Sequence, residues 1–273
     1  MNISVLVLSY NTKDLTDECL TRLKGQGAEV IVVDNASTDG SPEMIAKKHK
    51  EVRLIVSKVN TGFGGGNNLA FKQARGDLVL ILNSDALVEK DTIRKTTDFF
   101  MEHPECDVLG CQLRFGDGRL QPSAGAVPTP LNTLAWMVWF DRTVHPQDPA
   151  FFEKPKQVGW VMGAFMCMKR EVYKKTGGFD ENYFMYGEEI ELCKRIGDLG
   201  YKVWYTPEFS VTHLDKGSAK GDVVGPIIKE LQGLKYYFSK HYPKFVGMMV
   251  VVLRLGIFIR IMLKSKLYKL AKI

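Results

Sequence analysis

A carboxylate placed just beyond a β-strand can accept hydrogen bonds from a nucleobase imide or a ribose hydroxyl. Asp34 holds such a place, after the apolar run Val30-Ile31-Val32-Val33 and at the head of Asp34-Asn35-Ala36-Ser37-Thr38-Asp39-Gly40-Ser41. The same segment reads as a turn in which Ser41 caps the next helix ahead of Pro42, and the two readings are compatible. Further on stands Asn60-Thr61-Gly62-Phe63-Gly64-Gly65-Gly66-Asn67-Asn68. Three consecutive glycines let a ligand approach the backbone, and amides at a helix start favour phosphate. The alternative is a flexible loop. It is not a dinucleotide fingerprint, because no Gly-x-Gly-x-x-Gly follows the first apolar run. A third group, Asn83-Ser84-Asp85, ends the run Leu78–Leu82. A carboxylate there, facing bound phosphates, can hold a divalent cation that bridges them. Standing alone, the triplet reads as a plain turn.

These groups need strands to carry them. Short, β-branched apolar runs at 3–8, 29–33, 52–56 and 78–82 are bounded by polar turns, as buried parallel strands are. Segments of helical period lie between them at about 13–24, 41–49, 66–75 and 90–102. Such alternation predicts an α/β fold with a parallel sheet wound right-handedly. Ligands of such sheets sit beyond the carboxyl ends of the strands, where all three motifs fall, along with Ser9-Tyr10-Asn11 after the first strand. After residue 105 the pattern changes. Gly116-Asp117-Gly118 between 113–115 and 119–122 predicts a hairpin. Residues 124–157 carry five prolines and read as a long loop, of the kind that often covers an active site. A strand-like stretch at 158–168 follows, then a helix at about 187–199, strands near 201–205 and 209–213, and a helix at about 223–241. In the first of these helices Ile190, Cys193 and Ile196 form a core stripe, while Glu191 and Arg195 can pair on the surface.

The 273 residues suffice for one large domain with an appendage, and 45% hydrophobic with 25% charged residues excludes a disordered or fibrous chain. The net charge of +6 is local. Residues 244–273 hold Lys244, Arg254, Arg260, Lys264, Lys266, Lys269 and Lys272 and no acid, which leaves 30 basic against 31 acidic side chains elsewhere. A nucleic-acid footprint over the whole chain is therefore not expected. The five cysteines are odd in number, form no Cys-x-x-Cys pair and read as reduced core thiols of a cytosolic protein. The opening run Ile3–Leu8 is too short for a signal-peptide core and lacks a basic flank, so it is taken as a strand.

Asp34, the glycine segment and Asn83-Ser84-Asp85 follow successive strands in order, and here the sequence resembles glycosyltransferase family 2, in particular its rhamnosyltransferase-like branch. That branch has Asn-x-Asp in place of Asp-x-Asp and an Asn-x-Gly-Phe-(small)-x-(small)-Asn-Asn segment. The second half continues the family order with Gly159-Trp160-Val161-Met162-Gly163-Ala164-Phe165, Lys169-Arg170-Glu171, Gly177-Gly178-Phe179-Asp180-Glu181, Tyr183–Arg195 and Val211-Thr212-His213. The resemblance covers roughly residues 3–215. It implies the GT-A nucleotide-diphospho-sugar transferase fold over 1–220, with a nucleotide-sugar half at about 1–112, an acceptor half at about 113–220, and C-terminal helices over 221–273.

The resemblance further implies an inverting, metal-dependent glycosyltransferase. Ser9, Tyr10, Asn11, Asp34, Asn60, Gly62, Phe63, Asn67, Asn83 and Ser84 are then the nucleotide-binding residues, and Asp85 and His213 the ligands of Mg²⁺ or Mn²⁺ beside a diphosphate. The family's Glu-Asp base motif reads Glu188-Glu189 here. The second acid, Glu189, matches the base, and the longer Glu in place of Asp leaves Glu188 as the alternative. Both acids would in any case complement a helix N-terminus. Trp160 can lie against a sugar face, or pack in the core, while Gly163 and Ala164 leave room for the acceptor. The branch points to dTDP-L-rhamnose as donor, with UDP-sugars as the alternative, and to a saccharide or lipid-linked saccharide acceptor.

Residues 245–263 are largely apolar but interrupted by Arg254 and Arg260, so a simple membrane span is disfavoured. Apolar area with seven cations predicts peripheral attachment to anionic lipid at the inner face of the cell membrane. The alternative is a helix packed on the domain or on a second copy in a homodimer. Cutting after about residue 243 is expected to leave a folded domain. A scaffold that binds nucleotide sugars without catalysis is the rival from another class, and a nucleotidyltransferase would show a basic, glycine-rich signature where Tyr10-Asn11-Thr12 stands.

Overall fold

The computed structural model describes residues 1–139, 144, 146–215 and 225–255. Strand β1 (Ile3–Ser9) is buried along almost its whole length, as a central parallel strand must be. It pairs in parallel with β2 (Glu29–Asp34) on one side and β4 (Leu78–Asn83) on the other, and β2 pairs in parallel with β3 (Arg53–Val56). The register sets Ser9 beside Asp34 and Leu8 beside Asn83, so the carboxyl ends of three strands finish level. Helices α1 (Lys13–Leu23), α2 (Ser41–Lys48) and α3 (Gly62–Phe71) make the crossovers, and α4 (Thr92–Glu102) follows the short β5 (Ala86–Leu87).

The second half contributes β6 (Val108–Arg114), the hairpin strand β7 (Leu120–Gln121), β8 (Ala124–Gly125), α5 (Pro130–Trp139), a 3₁₀ turn at Pro149–Phe152, β9 (Lys156–Val158), β10 (Trp160–Val161) and β11 (Phe165–Lys169). Then come α6 (Arg170–Thr176), α7 (Glu188–Asp198), β12 (Val203–His213) and α8 (Gly225–His241). The main sheet runs β3-β2-β1-β4-β11-β6-β12-β5. Strand β11 enters antiparallel between β4 and β6, and β12 lies parallel to β6. The expected α/β class with a mainly parallel sheet is observed. Because β11 sits between strands of the first hundred-odd residues, the two halves share one sheet.

Several local expectations change. Residues 124–157 are not one loop but hold β8, α5, the 3₁₀ turn and the start of β9. The helix expected from residue 66 starts at Gly62. The two strands at 201–205 and 209–213 are one, β12, with a register shift between Thr206 and Ser210. Pro207 stands at that shift, where a residue without an N–H interrupts the ladder. Gly40, at φ +82°, is the cap of α2, and Ser41 is its first helical residue.

One core cluster lies under α1, α2 and α4 and includes Leu20, Ile45 and Phe99. Another joins α7 and α8 through Leu192, Ile196, Tyr237 and Phe238. Residues 246–255 are helical and add Met249 and Leu253 to that second cluster. All five cysteines are buried and free, as expected, and burial pushes the Cys19 and Cys193 thiols up to about 12. No helix among the described residues is long and apolar enough to cross a membrane. Arg260, Lys264, Lys266, Lys269 and Lys272 of the expected C-terminal tail lie outside the described residues.

Candidate active site

A cavity of about 410 Å³ opens beyond the carboxyl ends of β1, β2 and β4. The structure brings Tyr10, Asn60, Gly62, Phe63, Asn83, Ser84, Asp85, Gly163, Ala164, Glu188, Glu189 and His213 to its wall, from segments as far apart as 203 residues. Ser9, Asn11, Asp34, Asn67 and Trp160 lie behind it or elsewhere.

Those set back from the wall mostly shape it. The Ser9 hydroxyl is buried against Thr16 Oγ1 at 3.0 Å. Asn11, at φ +52°, takes the backbone N–H of Thr38 on its Oδ1 and gives its own N–H to Ser37 Oγ, which staples the end of β1 to the turn after β2. Asp34 is fully buried. Its Oδ1 accepts from Ser37 N at 2.9 Å, but its Oδ2 has no partner. A buried acceptor without a donor is costly, and a ligand N–H or O–H at the strand end would relieve it. Tyr10 stands half exposed on the wall, its ring open to a planar group.

The glycine segment serves packing more than phosphate. Two of the four amides at the start of α3 are already used: Gly62 N–H donates to Asn60 Oδ1 and Phe63 N–H to Phe184 O. A Cβ at Gly62 (φ +74°) would fall 2.4 Å from Phe184 O, at Gly64 2.8 Å from Phe179 Cβ, and at Gly66 2.2 Å from Leu8 Cδ1. The glycines thus let α3 approach both β1 and the turn before α7. Asn67 bonds back to Phe63 O, while Asn68 receives the N–H of Phe179 and donates to its carbonyl. The phosphate reading of this segment therefore loses its free amides at Gly62 and Phe63, although both residues remain on the cavity wall.

Asp85 and His213 meet across the sheet. Asp85 Oδ1 lies 3.3 Å from His213 Nε2, and both side chains are almost fully buried. His213 Nδ1 is 3.0 Å from Gln121 Oε1, which can only accept, so the ring proton sits on Nδ1 and Nε2 presents a lone pair. Asn83 Nδ2 donates to that lone pair at 3.2 Å. A hard divalent cation with ligands at about 2.1 Å sets neighbouring donors about 3 Å apart, which this pair matches. A carboxylate oxygen and an imidazole whose tautomer is fixed from behind form a fitting donor set for Mg²⁺ or Mn²⁺. No cluster of three or more His, Cys, Asp or Glu side chains occurs among the described residues, so the rest of any shell falls to a ligand or water.

The two acids at the start of α7 follow a turn with Tyr186 at φ +74° and Gly187 at φ +94°. Glu188 is buried and its Oε2 has no partner. Burial, then the neighbouring charge of Glu189, push its carboxyl well above the usual range. Glu189 is half buried and faces the same cavity. The Glu191–Arg195 pair expected on the surface is instead buried on the Glu191 side, where Arg195, Lys240 and His241 all converge on one carboxylate.

Trp160 is not brought to the cavity. Its ring lies in the second core cluster and its Nε1–H donates to Val144 O at 2.9 Å, so it packs rather than meeting a sugar. Gly163 is on the wall, with the Phe63 ring 3.1 Å from where its Cβ would stand, and Ala164 O accepts from Asn83 N. Sequence reasoning missed Gln121, Asn35, Phe184, Tyr186, Asp215 and Lys229, all on the wall. For Asn35 the signal was present, directly after Asp34. Gln121 carried none, since it meets His213 across 92 residues.

The profile of glycosyl transferase family 2 matches residues 4–177. An N-acetylglucosaminyl-diphospho-decaprenol L-rhamnosyltransferase of Mycobacterium tuberculosis is 28% identical over 204 residues, 67% of this chain and 66% of that protein. The rhamnosyltransferase WbbL of Escherichia coli is 23% identical over 220 residues, 77% of this chain and 83% of that protein. Among solved structures, the mannosyltransferase PcManGT from Pyrobaculum calidifontis in complex with GDP-Man and Mn²⁺ superposes with a TM-score of 0.59 at 21% identity, over 92% of this chain and 69% of that one. This likeness agrees with the GT-A architecture expected from the motifs.

Proposed function

The chain belongs to glycosyltransferase family 2, and we propose that it moves a sugar from a nucleotide diphosphate to a hydroxyl of a saccharide acceptor, with inversion. The observation that carries this is the convergence of Asp85, His213 and Glu189 on one cavity beyond the strand ends. Asp34 and Asn35 close the end where a base and ribose would sit, with the unpartnered Asp34 Oδ2 as acceptor and Tyr10 as a ring to lie against. Asn83 and Ser84 border the place of the phosphates, with Ser84 held by Thr12 Oγ1 at 3.0 Å. Asp85 and His213 would hold Mg²⁺ or Mn²⁺, which when bound offsets the charge developing on the leaving diphosphate.

Glu189 takes the proton of the attacking hydroxyl. Glu188 is unsuited to that task, because burial keeps its carboxyl protonated in the range where a base must be ionised. A single displacement at the anomeric carbon inverts it and asks no nucleophile of the protein. Gly163 and Ala164 leave the wall low on the side open to an acceptor.

The names of the two relatives favour L-rhamnose, carried as dTDP-rhamnose, over a UDP-sugar, and the mycobacterial one favours an acceptor linked to lipid through a diphosphate. The cationic C-terminal tail supports a peripheral place at the inner face of the membrane, in assembly of a surface polysaccharide. A thermal-shift panel of dTDP- and UDP-sugars with and without Mn²⁺ tests the reading, since a ligand of the native state raises its stability. The expected result is a metal-dependent rise with a dTDP-sugar, absent in Asp85→Ala, and turnover that stops in EDTA. Turnover unchanged by EDTA would refute the metal's role.

A further inference from the structure

Helix α8 brings a cation to the cleft. Lys229 is exposed on the cavity wall, and it is the single lysine or arginine among the described lining residues. Four carboxyl groups share that wall: Asp85, Glu188, Glu189 and Asp215. No ion pair of Lys229 occurs among the described residues. A substrate that carries a diphosphate would therefore enter a wall rich in acids with one uncommitted ammonium on it. Fields of this kind decide whether an anion enters a cleft at all.

The place of Lys229 is fixed by the rest of its helix. Lys240 Nζ lies 2.7 Å from Asp180 Oδ2 and 2.8 Å from Glu191 Oε1. His241 Nε2 lies 3.2 Å from the same Glu191 oxygen, and Tyr236 OH donates to Asp180 Oδ2 at 3.1 Å. At Gly233 the helix passes so close that a Cβ would stand 2.3 Å from Tyr186 O. These contacts join α8 to the turn that carries Glu188 and Glu189, so a lysine one turn before Gly233 keeps its position relative to both acids.

We propose that Lys229 binds a phosphate group of the substrate, either the diphosphate of the sugar donor or the diphosphate that links an acceptor sugar to its lipid. The inference rests on the transfer reaction proposed above and adds a residue from beyond the segment that the family profile matches. An ammonium suits either source as a point charge with three rotatable donors.

The test uses the full chain and three variants, Lys229→Ala, Lys229→Gln and Lys229→Arg. In one arm dTDP and UDP are titrated with Mn²⁺ present. In the other, a short-chain prenyl-diphosphate N-acetylglucosamine is compared with the octyl glycoside of the same sugar. Loss of one charge-assisted contact should weaken binding about tenfold in Lys229→Ala and Lys229→Gln, with most affinity kept in Lys229→Arg. A loss confined to the nucleotide arm assigns the donor. A loss confined to the prenyl diphosphate, with the octyl glycoside unchanged, assigns the acceptor. Wild-type affinity in both arms for all three variants would overturn the proposal. A wild-type chain that binds neither nucleotide would overturn the transfer reading itself, and this inference with it.

Discussion

Two adjacent glutamates at the head of α7 differ in surroundings more than in sequence. Glu188 points into a site with an unpartnered oxygen, and burial together with the Glu189 charge raises its carboxyl. A group whose folded value is raised contributes its stability below its ordinary value near 4.5 and loses it as the pH climbs through the folded value. Replacing it with a neutral isostere should therefore help at neutral pH. Glu188→Gln is expected to raise the melting temperature at pH 7.5 by a few degrees, the scale of about 1 kcal/mol in a domain this size, and to keep substantial activity. Glu189→Gln should instead lower kcat by at least about 10²-fold while donor affinity is retained. Calorimetry and steady-state kinetics on the two variants check this, and a dead Glu188→Gln beside an active Glu189→Gln would reverse the assignment. At this scale the sequence was informative because each motif residue follows a strand end. It misled at Trp160, since a large amphipathic ring serves a sugar or a core equally well, and only the partner of its N–H, Val144 O, decides.

Elements reached the reader less evenly. The four strands of the first half were legible within a residue or two, because buried parallel strands write continuous apolar runs. The start of α3 was not, since glycines are poor helix formers and their use here is close approach to Leu8 and to the Phe179–Phe184 turn. Helix α5 was hidden among prolines. The contact between α7 and α8 was hidden by distance, although its members, Glu191 and Arg195, were read as a local pair. Glu191 is 0% exposed. Burial opposes its ionisation, but hydrogen bonds from His241, Arg195 and Lys240 outweigh it and draw the carboxyl down to about 2. A lowered folded value contributes stability above the ordinary 4.5 and loses it as the pH falls toward 2. Glu191→Gln leaves three basic groups without their shared counter-charge. It should cost roughly 2–3 kcal/mol at pH 7, and the gap to wild type should narrow steadily in urea titrations from pH 5 toward pH 3. A gap that stays constant over that range would show that the carboxylate does not anchor α8 through its charge.

The chain as a whole sets a neutral catalytic body against a cationic end, and residues 244–255 show how the two join. Met249 and Leu253 are buried beside Tyr237 and Phe238, so this helix belongs to the body, and the cut expected after residue 243 would open the second core cluster. The point of division lies after Leu255. On the outward face of the same helix, Met248, Val251 and Leu255 stand 44%, 58% and 57% exposed, with Phe245 before them and Lys244 and Arg254 exposed alongside. Exposed apolar side chains at spacings of three and four, flanked by cations, suit the boundary of an anionic bilayer. The sequence beyond, with Arg260, Lys264, Lys266, Lys269 and Lys272 and no acid, adds attraction of about 1 kcal/mol per cation near such a surface. The full chain should therefore co-sediment with vesicles containing anionic lipid, weakly with neutral ones, and less as salt is raised. A chain ending at Leu255 should keep its melting temperature and nucleotide binding but lose most of that sedimentation. Met248→Ser with Val251→Ser in the full chain should lower it while leaving its salt dependence. Equal sedimentation of all three proteins would exclude the membrane as the partner of this face, and a concentration-dependent shift in mass, abolished by the double serine variant, would assign it to a second copy of the chain.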